Sequence, residues 1–144
     1  MDPYRQVITA ESVTRAARSA LGTKFKHQGR IPGLGLDCAG LFVFVCLAHG
    51  LPVEDVQGYG RNPFNGLLED AIRRQPFLRE VPKADLQPGD VLLMRFSQAP
   101  QHIAIATEHG MIHAYEHSGA VVEHRLAEVW RARITHVYRF EGIE

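Results

Sequence analysis

From Cys38 to Ala48 the chain runs for eleven residues without a charge. A segment apolar on every side must be buried on every side, so the rest of the fold has to be built around it. Its composition and its ends disagree. Leu41-Phe42-Val43-Phe44-Val45 is rich in β-branched and aromatic residues and suits a buried strand. Asp37 is a good N-cap, Gly50 a good C′ residue, and Pro52 follows. Length and caps favour a helix, with Cys38 at its first position.

The surrounding segments define the class. Val13, Ala16, Ala17, Ala20 and Leu21 fall at helical spacing, so 9–21 reads as an amphipathic helix, capped by Thr9 or Ser12 and stopped by Gly22. The linker 23–35 is glycine-rich and reads as a loop. Residues 51–64 read as a loop, and Asn65 as the cap of a short helix over 66–74. Phe77 to Val81 reads as a short strand. After the turn Leu86-Gln87-Pro88-Gly89-Asp90 the period changes to two. Residues 91–96, 102–107, 111–115, 121–124 and 135–140 read as strands, with a helical turn over 126–131. Helices first and strands afterwards predict an α+β fold, with N-terminal helices packed on a C-terminal antiparallel sheet of five or six strands. At 144 residues this is one domain, 1–144.

The totals exclude some partners. The formal net charge is zero, which argues against nucleic acid. No apolar run approaches the ~20 residues needed to cross a bilayer, so no membrane insertion is expected. The N-terminus, Met1-Asp2-Pro3-Tyr4-Arg5, lacks the apolar centre of a secretory signal, which predicts a protein made in the cytoplasm. In a helix, Cys38 and Cys46 would lie about 12 Å apart. A disulfide requires Cα atoms closer than about 7 Å, so both thiols are expected to be free, with Cys46 a buried small hydrophobe.

Cys38 is the candidate nucleophile. A helix N-terminus lowers a thiol pKa and offers N–H groups to an oxyanion. A base is needed as well, and eight histidines are available. Strand alternation puts His102 on one face with Ala104 and Ala106, where small side chains would let the Cys38 helix pack close. Met111, His113 and Tyr115 share a face of the next strand. The turn Glu108-His109-Gly110 makes the two strands neighbours, so His102 and His113 can lie side by side, one facing the thiol and one orienting it. A cysteine before an apolar run is more often structural, and a strand histidine is more often a satisfied polar residue or a surface residue. His49, His117, His124 and His136 receive that second reading, and His109 reads as a turn residue. Tyr59, Tyr115 and Trp130 read as core or cleft wall. Zinc on Cys38, His102 and His113 competes, although the usual short ligand pair is missing.

Four pieces in order resemble the NlpC-type family of papain-like cell-wall cysteine peptidases. They are Leu21-Gly22-Thr23-Lys24-Phe25 leading into Gly35-Leu36-Asp37-Cys38-Ala39-Gly40-Leu41, then Leu86-Gln87-Pro88-Gly89-Asp90-Val91-Leu92, then His102-Ile103-Ala104-Ile105-Ala106, then Met111-Ile112-His113-Ala114. The resemblance implies a papain-like fold and a helix at Cys38. It makes Cys38 the nucleophile, His102 the general base and His113 the orienting residue. It implies hydrolysis of an amide bond in the peptidoglycan stem peptide, of the D-γ-glutamyl–diamino acid type, with no cofactor and no metal. It also puts Asp37, Ala39, Phe25, His27 and Gln28 around the substrate. Phe25 and Ala39 stand where many members carry tyrosine and serine, which bears on the bond cut. The loop His27-Gln28-Gly29-Arg30 resembles the phage-borne branch found in tail-tip and gene-transfer-agent proteins. That implies phage-like tail proteins as partners, and allows a structural tail-tip component or another thiol amidase or acyltransferase as alternatives.

Overall fold

A computed structural model describes residues 7–55, 67–96 and 100–144. The fold is α+β. Helices α1 (Ala10–Ser19), α2 (Cys38–Ala48) and α3 (Leu67–Arg73) precede most of the sheet. Six antiparallel strands follow: β3 (Leu78–Val81), β4 (Val91–Arg95), β5 (Pro100–Thr107), β6 (Gly110–Tyr115), β7 (Ala120–His124) and β8 (Ile134–Phe140). Their order across the sheet is β3-β8-β4-β5-β6-β7. A short helix, α4 (Glu128–Arg131), lies before β8. The strands β1 (Arg30–Ile31) and β2 (Gly35–Leu36) form a small hairpin. The expected linker loop therefore contains a hairpin, whose two-residue strands are too short to show alternation. The Asn65 cap, Tyr59 and most of the 51–64 loop lie outside the described residues.

α2 is a helix because its ends outweigh its β-rich middle. Asp37, in extended conformation, accepts the Gly40 N–H at 2.8 Å. Gly50 takes φ of 67° just past the last turn, and Leu51 N–H returns to Cys46 O. α1 begins with a reciprocal cap between Thr9 and Ser12. His49 ties the two helices together. Its Nδ1 meets Val45 O at 2.8 Å and its Nε2 meets Ser12 Oγ at 2.9 Å, so it is the satisfied polar residue expected.

The sheet separates two cores. Ile103, Ile105, Ile112, Ala114 and Val121 pack with Val13, Ala17, Leu41, Phe42 and Val45 of the helices. Leu92, Met94, Ala104, Ala106, Met111, Ile134 and Val137 form the second core, against Leu86, Leu126 and Trp130. The expected role of Ala104 and Ala106 is thus corrected: they face the α4 side, and α2 packs on the isoleucine face. The helices needed a large apolar surface, and Ile103 and Ile105 supply it. Among the described residues no helix is long and apolar enough to cross a membrane.

Candidate active site

The glycine-rich loop is folded onto the start of α2. Gly29 and Gly40 touch so closely that a β-carbon on Gly40 would collide with the Gly29 carbonyl oxygen. Gln28, with φ of 60°, turns its N–H onto Asp37 Oδ2 at 2.8 Å. Arg30 Nη1 donates to Asp37 Oδ1 at 2.9 Å, while its Nε donates to both Asp55 oxygens at 2.9 and 3.1 Å. One carboxylate thereby caps the helix, fixes the loop and holds a guanidinium. Asp37, expected near the substrate, is engaged by the chain itself. Phe25 packs against the helix-side core and donates its N–H to Gly119 O at 2.9 Å. His27 is half-buried and the Gln28 side chain is exposed in the same loop.

Cys38 is half-buried and free, and Cys46 is buried and free. β5 pairs with β6 only from Ile105↔Ile112 to Thr107↔Gly110. Beyond that ladder, the backbone N–H groups of Ile103 and Ala39 are near enough to the Cys38 sulfur to favour its thiolate, so the sulfur lies by the residue that follows His102.

Burial decides the charge state. It pushes the Cys38 thiol up to about 12, the Asp37 carboxylate adding to the push; Ile103 N–H, Ala39 N–H and Arg30 act the other way. The expectation that the helix N-terminus would make this thiol acidic is therefore corrected: desolvation is the larger effect. Burial holds His102 down to about 3, helped by the nearby Arg133 charge. It holds His113 down to about 2, helped by His102 and His124. Burial thus favours the neutral form of the thiol and of both imidazoles.

His102 Nε2 lies 2.7 Å from His113 Nδ1. His113 Nε2 lies 2.8 Å from His124 Nε2, and His124 Nδ1 lies 2.8 Å from Arg125 O. The three rings run diagonally across β5, β6 and β7 on the face away from α2. The nitrogens that a metal would need are spent on one another, and among the described residues no three His, Cys, Asp or Glu side chains converge as a metal site. Trp130 covers the row, with ring centroids 5.1 Å from His113 and 5.0 Å from His124. Arg133 lies over Trp130 and Phe96 at 4.7 and 5.2 Å. Tyr115 stacks on His113 at 5.0 Å, so Tyr115 and Trp130 wall the site as expected.

His124 is the residue that sequence reasoning missed. The signal was the four-residue turn Glu116–Gly119: pairing Tyr115 with Ala120 across it puts His113 opposite Val122 and His124 on the same face, one pair away. A small apolar cleft opens beside Ala39 and Ile103, between α2 and α3, with Glu54 and Asp55 among its lining residues.

A thiol at a helix N-terminus, set against an antiparallel sheet that carries a row of imidazoles, defines a papain-like α+β architecture. Its particular form is set by comparison with known proteins: the chain belongs to the NlpC/P60 family, whose pattern matches residues 22–139. The fold resembles an NlpC/P60 family protein from Bacillus cereus with TM-score 0.70 and 20% identity, over 94% of this chain and 41% of that one. It resembles the peptidoglycan hydrolase RipB from Mycobacterium tuberculosis with TM-score 0.65 and 22% identity, over 94% of this chain and 65% of that one. The NlpC/p60 domain of the peptidoglycan hydrolase SagA matches with TM-score 0.55 and 22% identity, over 80% of this chain and 87% of the domain. The chain thus spans well under half of the Bacillus cereus protein and about two thirds of RipB. No curated protein is similar enough to count as a relative.

Proposed function

We propose that this chain is a cysteine peptidase that hydrolyses an amide bond in the peptide stem of peptidoglycan, with Cys38 as nucleophile, His102 as general base and acid, and His113 orienting His102. The observation that carries the reading is a free Cys38 at the first position of α2, in a fold whose His102 is bonded to His113. Membership of the NlpC/P60 family supports the substrate class, as does the likeness to the peptidoglycan hydrolases RipB and SagA.

Because the resting pair is neutral, the proton leaves sulfur as sulfur attacks. His102 takes the Cys38 proton, a carbon–sulfur bond forms, and the carbonyl oxygen becomes an oxyanion. N–H groups of the first turn of α2 stabilise it. The oxyanion collapses, the carbon–nitrogen bond breaks, and His102 returns the proton to the departing amine. Water, deprotonated by the same imidazole, hydrolyses the thioester and restores the thiol. The bond we assign is the D-γ-glutamyl–diamino acid linkage. Phe25 and Ala39, without hydroxyls, shift recognition toward the loop His27-Gln28-Gly29-Arg30 and the apolar cleft beside Ala39. The likeness of that loop to the phage-borne branch supports delivery on a phage-like tail, and tail particles purified without this protein would refute delivery.

The deciding experiment is digestion of purified peptidoglycan with mass analysis of the fragments, run beside Cys38→Ala. Cleavage by the parent and none by the variant is expected, with both equally folded. Equal cleavage by the variant would end the proposal.

A further inference from the structure

The row of imidazoles ends on a backbone carbonyl, and a carbonyl oxygen only accepts. His124 Nδ1 lies 2.8 Å from Arg125 O, so Nδ1 carries the proton. A neutral imidazole has one N–H, which leaves His124 Nε2 a lone pair. His113 Nε2, 2.8 Å away, is then the protonated nitrogen of its ring. His113 Nδ1 is in turn a lone pair, and His102 Nε2, 2.7 Å away, donates to it. The remaining nitrogen, His102 Nδ1, is unprotonated. We propose that His124, anchored on the Arg125 carbonyl, is a positioning residue that sets the tautomer of His113 and through it keeps His102 Nδ1 in the form that accepts the proton of Cys38. This rests on the reading of Cys38 and His102 as nucleophile and base.

The surroundings keep the deduction simple. His102 is 5% exposed and His113 fully buried, so both stay neutral and each has a single N–H to place. His124 is half-buried at the rim, with Trp130 against it. Its charge is felt by His113 on β6 and, across Trp130, lies near Arg133. The neighbouring Glu123 is committed to Arg18 and Thr107.

The same wiring defines what a proton does. A proton accepted at His102 Nδ1 lets the Nε2 proton of His102 pass to His113 Nδ1 and the Nε2 proton of His113 pass to His124 Nε2. One proton has been gained, and the charge rests on His124 at the rim.

Long-range proton–nitrogen NMR on the labelled full chain, at about pH 8 where a free histidine is neutral, reads the tautomers directly. The expected pattern is Nε2–H on His102 and His113 and Nδ1–H on His124. Nδ1–H on His102 would overturn the proposal. His124→Gln retains an amide oxygen to accept from His113. The Nε2–H pattern of His102 and His113 should survive in it and its kcat at that pH should stay within about twofold; a tenfold loss overturns the proposal. His124→Leu should lose about tenfold in kcat with KM unchanged, through loss of one buried hydrogen bond. The NMR pattern needs no substrate. If it holds in a protein that cleaves nothing, the catalytic reading fails and the tautomer assignment stands.

Discussion

The carbonyl oxygen of Gly29 occupies the space that a β-carbon on Gly40 would need. Gly40 sits in the first turn of α2, two residues after Cys38, and its N–H is bound to Asp37. Gly40→Ala must push the loop off the helix start. The loss should be about 1–3 kcal/mol, as for other overpacked sites. Urea unfolding gives the stability, and hydrolysis of muropeptides should fall with it, because the displaced loop carries Arg30 away from Asp37.

Acid should weaken the fold through His102 and His113. Their folded-state values lie below the ordinary 6.5, so the unfolded chain binds their protons first. The stability they contribute is complete above pH 6.5 and is lost as pH falls toward about 3, where the folded His102 also protonates. Each costs up to about 1.4 kcal/mol per pH unit in that window. Unfolding free energy measured from pH 7 to 5 should rise with pH, and His113→Gln should flatten the slope. A slope unchanged in that variant would contradict the assignment.

Alkylation separates the thiols. Cys38 is half-buried and Cys46 has no exposed surface, so iodoacetamide should label Cys38 far faster. Since burial raises the Cys38 thiol to about 12, its rate should keep climbing above pH 8.5. A rate that levels off near pH 6 would reveal a preformed thiolate–imidazolium pair, against the neutral resting state derived above.

Asp90 is fully buried and takes two bonds from Arg139, each 2.9 Å. It also accepts the Gln87 N–H at 2.8 Å, closing the Pro88-Gly89 turn that starts β4. Asp90→Ala leaves the half-buried Arg139 guanidinium only its bond to the Asp85 carbonyl and should cost about 1–3 kcal/mol. Denaturant midpoints check this, and the loss should far exceed that of Glu11→Ala, whose partner Arg15 is exposed.

Much of this was legible in the residues. The caps of α2 outvoted its β-rich middle; period-two alternation located five of the six strands of the sheet, and the short strand at 77–81 was read without it, all within a residue or two. The reading that His102 and His113 lie side by side is met by the bond between their rings. What escaped depends on three-dimensional relations. Alternation said that Ala104 shares a face with His102, but which face meets the helices is decided by where the larger apolar surface lies. His124 entered through hairpin register, not local pattern. The thiol's elevated value reflects desolvation, which a helix-cap argument does not include.

The six-stranded sheet acts as a partition between the parts of the site. Cys38 packs on the helix-side core, while the imidazole row lies against Trp130 of the opposite one. Repacking Phe42 should alter the placement of Cys38, and repacking Met111 the imidazole row, with little cross-talk. Double-mutant cycles between the two cores should come out near zero, within about 0.5 kcal/mol. Substitutions of Ile103 should couple to both, which would make this residue the hinge through which the two halves of the chemistry are tuned together.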